Sequence, residues 1–472
     1  MAASKEDLSR WDGFNWRRQM ERFGENDESL TAVGPEGESQ GICALGELTD
    51  RGRQTTMALG RRLRHLYVDQ LGYMPKIISN TDDMYLRATP IPRALDSMQE
   101  ALWGMYPPEA RTASFPPPVI VSRSLPEETL FPNEGNCRRF RQLSAQFAKR
   151  AADKWNDSEK MGYLNSLWSK WMPPASPNVA VDSHPRLSGI LDTVNSTLAH
   201  GPETRLPSEF YDKKAIDIAS EIAVDEWFTG YKESQEYRKL GMGAQVGDVV
   251  DRMVAVSLEG AWRNTSLPID EANHGKPIKF ALNGCHDTSL AGILASLGAF
   301  DGGKWPPYTS SIAIELFEKV SGADMEPGKI LEEFQDPNSP PTMAKRPSEF
   351  FRFLLGRSGP SSNGNNKDNT TPEAPASRVA RIPLSSLPAS SREKLRTKHY
   401  VRIRYNDHPV QIPGCAAKPG NHLPGDPTFC TLEAFKEITD KFTPGRWRDD
   451  CAANTGEGMF GKNDVEKVPA GY

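Results

Sequence analysis

Two widely separated stretches of this sequence share one plan: a short extended segment, a turn and an amphipathic helix. In the first stretch the extended segment is Met84-Tyr85-Leu86, and the helical face is formed by Ile91, Leu95, Met98, Leu102 and Met105. In the second stretch the extended segment is Ile278-Lys279-Phe280-Ala281-Leu282, and the helical face is formed by Leu290, Ile293, Leu294 and Leu297. Strand-to-helix units of this kind predict an α/β fold with a mostly parallel sheet flanked by helices.

Other elements are predicted from the same periodicities. A helix is expected from Thr49, whose hydroxyl can accept a hydrogen bond from the first turn. Residues 311–317 and 400–405 alternate and branch as strands do, and residues 431–438 have the spacing of a late helix.

The composition divides the chain into regions. Between the two units it changes to tryptophan, lysine, arginine and glutamate at helical spacing, which predicts a helical cap over residues 111–270. Residues 1–110 and 271–472 are then expected to form one discontinuous α/β core. Residues 356–377 are mostly Ser, Gly, Asn, Pro and Thr, and this composition predicts a disordered insertion because it cannot bury a core.

Charge and hydropathy limit the partners. The 57 Lys and Arg against 62 Asp and Glu give a formal charge of −5, which offers no general field for nucleic acid or anionic lipid. No run approaches the roughly 18 apolar residues that a membrane-spanning helix requires. We therefore expect a small-molecule ligand bound by local groups, no nucleic acid and no transmembrane segment, with the oligomeric state open.

The cysteines and the start of the chain give weaker signals. No two of the six cysteines have the spacing of a zinc site or a redox pair, so no metal is expected. Cys415 and Cys430 bracket a loop rich in Pro and Gly, and both a disulfide and two reduced thiols are compatible with that arrangement. Residues 1–7 lack an apolar signal segment, which predicts a cytoplasmic location for the chain as written.

The turns after the two predicted strands carry the candidate chemistry. His286-Asp287 stands where the second strand ends and its helix begins, and free N–H groups there favour an anion. Arg87 occupies the equivalent strand end in the first unit, and its planar guanidinium fits two phosphate oxygens. Taken separately, Asp287 could equally be a helix cap with His286 in the core, and Arg87 a surface residue. Together they describe a site that binds a phosphoryl group and gives a proton to its leaving oxygen.

Several short blocks carry a family resemblance through their order and spacing. They are Leu48-Thr49-Asp50-Arg51-Gly52-Arg53-Gln54, Leu86-Arg87-Ala88-Thr89 with Arg93, Trp103-Gly104-Met105-Tyr106-Pro107, His286-Asp287-Thr288-Ser289-Leu290 and Arg404-Tyr405-Asn406. With these blocks the chain resembles the histidine acid phosphatases, branch 2 of the phosphoglycerate-mutase-like histidine phosphatases. It is similar to the fungal lysophosphatidic-acid-type members of that family.

The resemblance implies a fold, a reaction and roles for four residues. It implies an α/β core with a helical cap, and hydrolysis of phosphomonoesters through a phosphohistidine with no metal or other cofactor. By position, Arg87 binds the phosphate, His286 is a second phosphate ligand and Asp287 is the general acid, while Arg93 lines the edge of the pocket. Lysophosphatidic acid is a substrate that this form of the family suggests.

The sequence departs from the family at the nucleophile. The family carries it in an Arg-His-Gly-x-Arg-x-Pro segment upstream of the Leu-Thr-x-x-Gly block, and no such segment occurs here. His65 lies in mid-helix and does not replace it. We expect a chain that lacks its first strand, has a groove in its core and is a poor phosphatase. The alternative is a pseudophosphatase that binds phosphate or a phospholipid headgroup, and a missing N-terminal segment leaves a mitochondrial or secreted location open.

Overall fold

The computed structural model describes residues 19–26, 28–33, 37, 39, 46–201, 206–258, 278–300, 304–320, 351–352, 381–460 and 468–472. The predicted disordered insertion at 356–377 lies outside these residues. The strands are β1 (Glu21–Phe23), β2 (Ser29–Thr31), β3 (Met84–Ala88), β4 (Phe280–Gly284), β5 (Ile312–Lys319), β6 (Phe351–Arg352), β7 (His399–Tyr405), β8 (His408–Val410), β9 (His422–Leu423) and β10 (Asp426–Thr431). The helices are α1 (Asp50–Arg64), α2 (Pro92–Met105), α3 (Arg138–Trp155), α4 (Glu159–Trp168), α5 (Leu187–His200), α6 (Lys213–Glu233), α7 (Gln235–Arg238), α8 (Ala244–Ser257), α9 (Asp287–Ser296), α10 (Ala389–Thr397), α11 (Pro413–Ala416), α12 (Leu432–Asp440) and α13 (Trp447–Ala452).

Both predicted strand–turn–helix units are present, and they are neighbours. β3 and β4 pair in parallel, with Arg87 opposite Asn283 and Ala88 opposite Gly284. α2 follows β3 and begins at Pro92, where a proline costs the helix no hydrogen bond. α9 follows β4 after only two residues. The two turns therefore lie side by side at one edge of the parallel pair.

Helix α1 packs closely on α2 behind the first unit. The Thr49 hydroxyl caps α1 as predicted, accepting a hydrogen bond from the Gly52 N–H at 3.2 Å. A Cβ added at Gly60 would lie 2.0 Å from the Ala101 carbonyl oxygen, and one at Gly104 would meet the backbone of α1. Only glycine permits this approach of the two helices.

The second sheet differs from the prediction in its strand direction. β6, β5, β7, β10 and β9 form it in that order with β8 beside β7, and every pair in it is antiparallel. Asn406 and Asp407, both with positive φ, make the tight turn between β7 and β8, and such a turn can join only antiparallel strands. The α/β fold is confirmed. Parallel pairing in the described residues consists of β3 with β4 and of two isolated bridges, Ile78 with Arg111 and Arg87 with Val121.

The apolar side chains of the helical region form two separate cores, and the boundary between them lies within α6. Phe228 and Tyr231, in the second half of α6, belong to a core shared with α3, α8, α9, β7 and α12. Ile218 and Ile222, in its first half, belong to a separate core with α4 and α5. The predicted cap boundaries at residues 111 and 270 remain predictions. None of the helices in the described ranges has the length and hydropathy of a membrane span.

Two disulfides join distant parts of the fold. Cys415 is bonded to Cys430, which decides between the alternatives that the sequence left open, and this bond ties α11 to β10. Cys137 is bonded to Cys451, 314 residues further along the chain, and ties the start of α3 to α13. No spacing between Cys137 and Cys451 predicted this second pair. Cys285, just after β4, is a free thiol.

Candidate active site

A large cavity reaches the carboxyl end of β4 and the first turn of α2. Its volume is about 3090 Å³, and it continues between β4 and β5, which both line it along most of their length. Within the described ranges no β-ladder joins these two strands. A groove was expected in the core from the sequence, and the cavity occupies such a position; the truncation from which it was predicted remains a prediction.

His286 is the residue just before α9 and faces the cavity. Its Nε2 lies 3.0 Å from the hydroxyl of Thr89, the buried residue that follows β3, so a hydrogen bond joins the two turns. Its backbone N–H donates to Ser289 Oγ at 3.3 Å. Burial and then the charge of Arg93 lower the pKa of His286 to about 4, although Glu128 acts in the opposite direction. At neutral pH the imidazole is therefore uncharged.

Asp287 is the first residue of α9, and both of its carboxylate oxygens accept hydrogen bonds. Oδ1 accepts from the Thr288 backbone N–H at 2.8 Å. Oδ2 accepts from the Trp305 indole N–H at 2.6 Å, a short distance typical of a charge-assisted bond. The carboxylate thus has a fixed orientation beside the cavity, which it lines together with Trp305.

Arg93 is the second residue of α2 and is exposed on the cavity wall. Its Nη1 donates to the Gly46 carbonyl at 3.3 Å. Within the described part of the chain it has no carboxylate partner. Among the other arginines that line the cavity, Arg123 pairs with Asp248 and Arg404 with Glu315, each at 3.1 Å. Arg93 and the His286-Asp287 turn line the same cavity, and the charge of Arg93 contributes to the lowered pKa of His286.

Arg87 lies in a different environment from the one its position suggested. Its side chain is 2% exposed, and it forms an ion pair with Glu128, which is fully buried. Nη1 donates to Gln245 Oε1 at 2.9 Å, and the buried Nε has no hydrogen-bond partner among the described residues. Arg87 is absent from the cavity lining. Its assignment as a direct phosphate ligand remains a prediction, and this placement favours a supporting role.

Glu128 connects the Arg87 pair to the wall of the site. Its Oε1 also accepts from the backbone N–H groups of Thr129 and Leu130, both at 2.7 Å. The Leu130 carbonyl in turn accepts from the hydroxyl of Ser289, in the first turn of α9. The ion pair therefore fixes the segment that packs against the start of α9.

Sequence reasoning missed two residues of this site. Glu128 and Trp305 lie in proline-containing loops, where no periodicity marks a side chain as buried or directed at a ligand. Trp305 precedes Pro306-Pro307, a rigid pair that signals an ordered loop but not its contacts. Within the described residues no three His, Cys, Asp or Glu side chains are grouped closely enough to hold a metal ion.

Comparison with known proteins assigns the chain to a family. The sequence pattern of the histidine phosphatase superfamily (branch 2) matches residues 11–337. A probable acid phosphatase of Schizosaccharomyces pombe is 34% identical over 441 residues, which cover 93% of this chain and 83% of that protein. The human lysophosphatidic acid phosphatase type 6 is 25% identical over 282 residues, which cover 59% of this chain and 58% of that protein.

A solved structure supports the fold. The phytase of Hafnia alvei, in its complex with myo-inositol hexakis sulphate, superimposes with a TM-score of 0.50 at 13% identity, and the match covers 89% of this chain and 92% of that one. At this identity the similarity concerns the fold alone. The length of the sequence match and the relationship to the fission-yeast protein show that the chain belongs to the histidine phosphatase superfamily, branch 2.

Proposed function

We propose that this protein binds phosphomonoesters at the adjoining ends of β3 and β4 and that it acts as an acid phosphatase there. The observation that carries the proposal is the meeting of Arg93, His286 and Asp287 at one end of a single cavity. A cation, a neutral imidazole and a hydrogen-bonded carboxyl group supply the charge, hydrogen bonding and proton donor that cleavage of a phosphate ester requires. The acid phosphatases among the relatives support the same reaction class.

Each of the three side chains has a role in this proposal. Arg93 binds two oxygens of the phosphoryl group, and His286 donates or accepts a hydrogen bond at a third. As water attacks phosphorus and the bond between phosphorus and the ester oxygen breaks, the carboxyl group of Asp287 gives its proton to that oxygen, so that an alcohol and inorganic phosphate leave. Arg87, paired with Glu128, holds the wall of the site in place.

The sequence lacks the family's nucleophile for a covalent step. In the family the phosphoryl group passes to a histidine of the Arg-His-Gly segment, and that segment does not occur in this sequence. Without its nucleophile a covalent mechanism loses nearly its whole rate, about a millionfold in a well-studied hydrolase. This observation favours a second function, in which the chain binds a phosphorylated ligand through Arg93 and His286 and releases no product.

The substrate class is suggested by the relatives and the shape of the site. Lysophosphatidic acid phosphatases occur among the similar proteins. The cavity is far larger than a phosphate group needs, and apolar side chains of α1, α8 and β5 form part of its wall. A monoester with an apolar chain, such as lysophosphatidic acid, is the substrate that we propose.

Phosphate release and ligand binding, measured together, test both functions. We expect the chain to release phosphate from p-nitrophenyl phosphate and lysophosphatidic acid at acidic pH. Asp287→Asn should lower kcat/KM for lysophosphatidic acid, whose leaving oxygen needs the proton, by about 100-fold to 10,000-fold. If wild type binds phosphate without releasing any from a substrate, and Arg93→Ala loses this binding, the binding function is established instead. A folded wild-type chain that neither releases nor binds phosphate would disprove both functions.

A further inference from the structure

Trp305 makes a contact that bears directly on the proposed proton donor. Its indole Nε1–H donates to Asp287 Oδ2 at 2.6 Å. An indole nitrogen can only donate, so this bond always places a positive dipole on that oxygen. With Oδ1 held by the Thr288 N–H at 2.8 Å, the indole leaves the carboxyl group one orientation toward the cavity.

The helical region holds Trp305 from the other side. Its backbone N–H donates to Ser220 Oγ at 3.0 Å, and Ser220 belongs to α6. Its ring meets Trp227 edge-to-face at 6.0 Å and packs against Phe228 at 5.1 Å, and both of these residues also belong to α6. Trp305 packs against both of the apolar cores that divide within α6. Its position is thus set by α6.

We propose that Trp305 is the positioning residue of the general acid and couples the placement of α6 to the orientation of Asp287. This inference rests on the proposed function, because it assigns Trp305 a role in the proton transfer of that site. Catalysis on substrates with a poor leaving group then requires Trp305, since only those substrates need the proton at the moment of bond cleavage.

In the proposed step Asp287 supplies the proton of the leaving group. Water forms a new bond to phosphorus as the bond between phosphorus and the leaving oxygen breaks, and the proton that the water loses stays on the inorganic phosphate. The carboxyl proton of Asp287 moves to the leaving oxygen, and Asp287 becomes a carboxylate. The indole keeps its own proton throughout and donates it more strongly to the carboxylate that has formed. Trp305 therefore stabilises the state after proton transfer more than the state before it.

A kinetic comparison tests the role. Trp305→Phe keeps an aromatic ring and removes the N–H, and Trp227→Phe is the matched control because its indole nitrogen is buried without a hydrogen-bond partner among the described residues. We expect Trp305→Phe to lower kcat/KM about tenfold for an alkyl phosphate such as glycerol 3-phosphate and less than twofold for p-nitrophenyl phosphate. Trp227→Phe should change both by the same factor. In an Asp287→Asn background, Trp305→Phe should add no further loss. Equal losses on the two substrates would show a purely structural role and overturn the proposal.

A spectroscopic measurement separates this inference from the proposed function. The chain has ten tryptophans, and 5-fluorotryptophan labelling gives each a fluorine resonance; the one absent from Trp305→Phe identifies Trp305. Asp287→Asn should shift that resonance and leave the Trp227 resonance nearly in place. An unmoved Trp305 resonance contradicts the coupling. If the wild-type chain releases no phosphate at all, hydrolysis by this chain is disproved, and the fluorine spectrum alone decides whether Trp305 reports on Asp287.

Discussion

The turns after β3 and β4 begin from equivalent strand ends and use them differently. After β4 the chain needs two residues to reach α9, so His286 and Asp287 arrive at the cavity directly. After β3 it passes through Thr89, and the residue that reaches the cavity is Arg93, inside the first turn of α2. Arg87, still within the strand, extends away from the cavity into a buried ion pair with Glu128.

The difference shows that a strand-end position does not decide which way a side chain extends. Successive residues of a strand face opposite sides of the sheet, so a shift of one residue reverses the surroundings of the side chain. Leu86 and Ala88 face an apolar core, and Arg87 between them faces the polar cluster of Glu128 and Gln245. Of the two arginines of this unit, Arg87 is therefore part of the buried framework, and Arg93 faces the cavity.

The largest expected effect is a difference in the free energy of unfolding between variants of Arg87 and Arg93. Arg87→Ala leaves the Glu128 carboxylate buried without its cation, and we expect the free energy of unfolding to fall by about 3 to 5 kcal/mol. Arg93→Ala removes an exposed side chain and should change it by less than about 0.5 kcal/mol. Urea unfolding of both variants measures the difference. Equal stability of the two variants would show that the Arg87 pair contributes nothing to the fold.

The pH dependence of stability sharpens the account of the second turn. The pKa of His286 is about 4 in the folded protein against 6.5 when exposed, because burial and Arg93 disfavour the imidazolium. Between these values the unfolded chain binds a proton that the folded chain does not, so stability falls as pH decreases from 6.5 toward 4. The full loss from this residue is about 3 kcal/mol. The urea midpoint should therefore change less between pH 6.5 and pH 4 in His286→Gln than in wild type. An equal change of the midpoint in both proteins would contradict the burial of a neutral imidazole.

The smallest effect concerns the hydrogen bond that joins the two turns. Thr89→Val keeps the shape of a fully buried side chain and removes the hydroxyl that bonds to His286 Nε2. We expect a loss of about 1 kcal/mol in the free energy of unfolding. Thr89→Ser, which keeps the hydroxyl, is the control and should retain the bond. If Thr89→Val is as stable as wild type while Thr89→Ser is destabilised, methyl packing rather than the hydrogen bond holds the turns together.

The sequence was sufficient for the local elements of the site. The hydrophobic periodicity and the capping residues predicted β3, α2, β4, α9 and the Thr49 cap, because each of these features is determined by residues a few positions apart. His286 and Asp287 were found for the same reason, since a strand end and a helix start meet at that dipeptide.

The remaining features depend on contacts between distant parts of the chain. The partner of Arg87 is 41 residues away, and the Cys137–Cys451 bond spans 314. The donor to Asp287 comes from a loop whose place is set by α6, and the antiparallel direction of the second sheet follows from turns outside the two units. No local periodicity carries such information, so these contacts had to come from the structure.

Calorimetric titration with inorganic phosphate tests the central claim most directly. Wild-type protein should bind one phosphate, and Arg93→Ala should weaken binding by about tenfold to 100-fold, the value of hydrogen bonds to a charged partner. Arg61→Ala, which removes the same charge from an exposed α1 position that does not line the cavity, should bind as wild type does. Equal affinity of Arg93→Ala and wild type would show that the phosphate is held elsewhere, and the site described at the ends of β3 and β4 would be wrong.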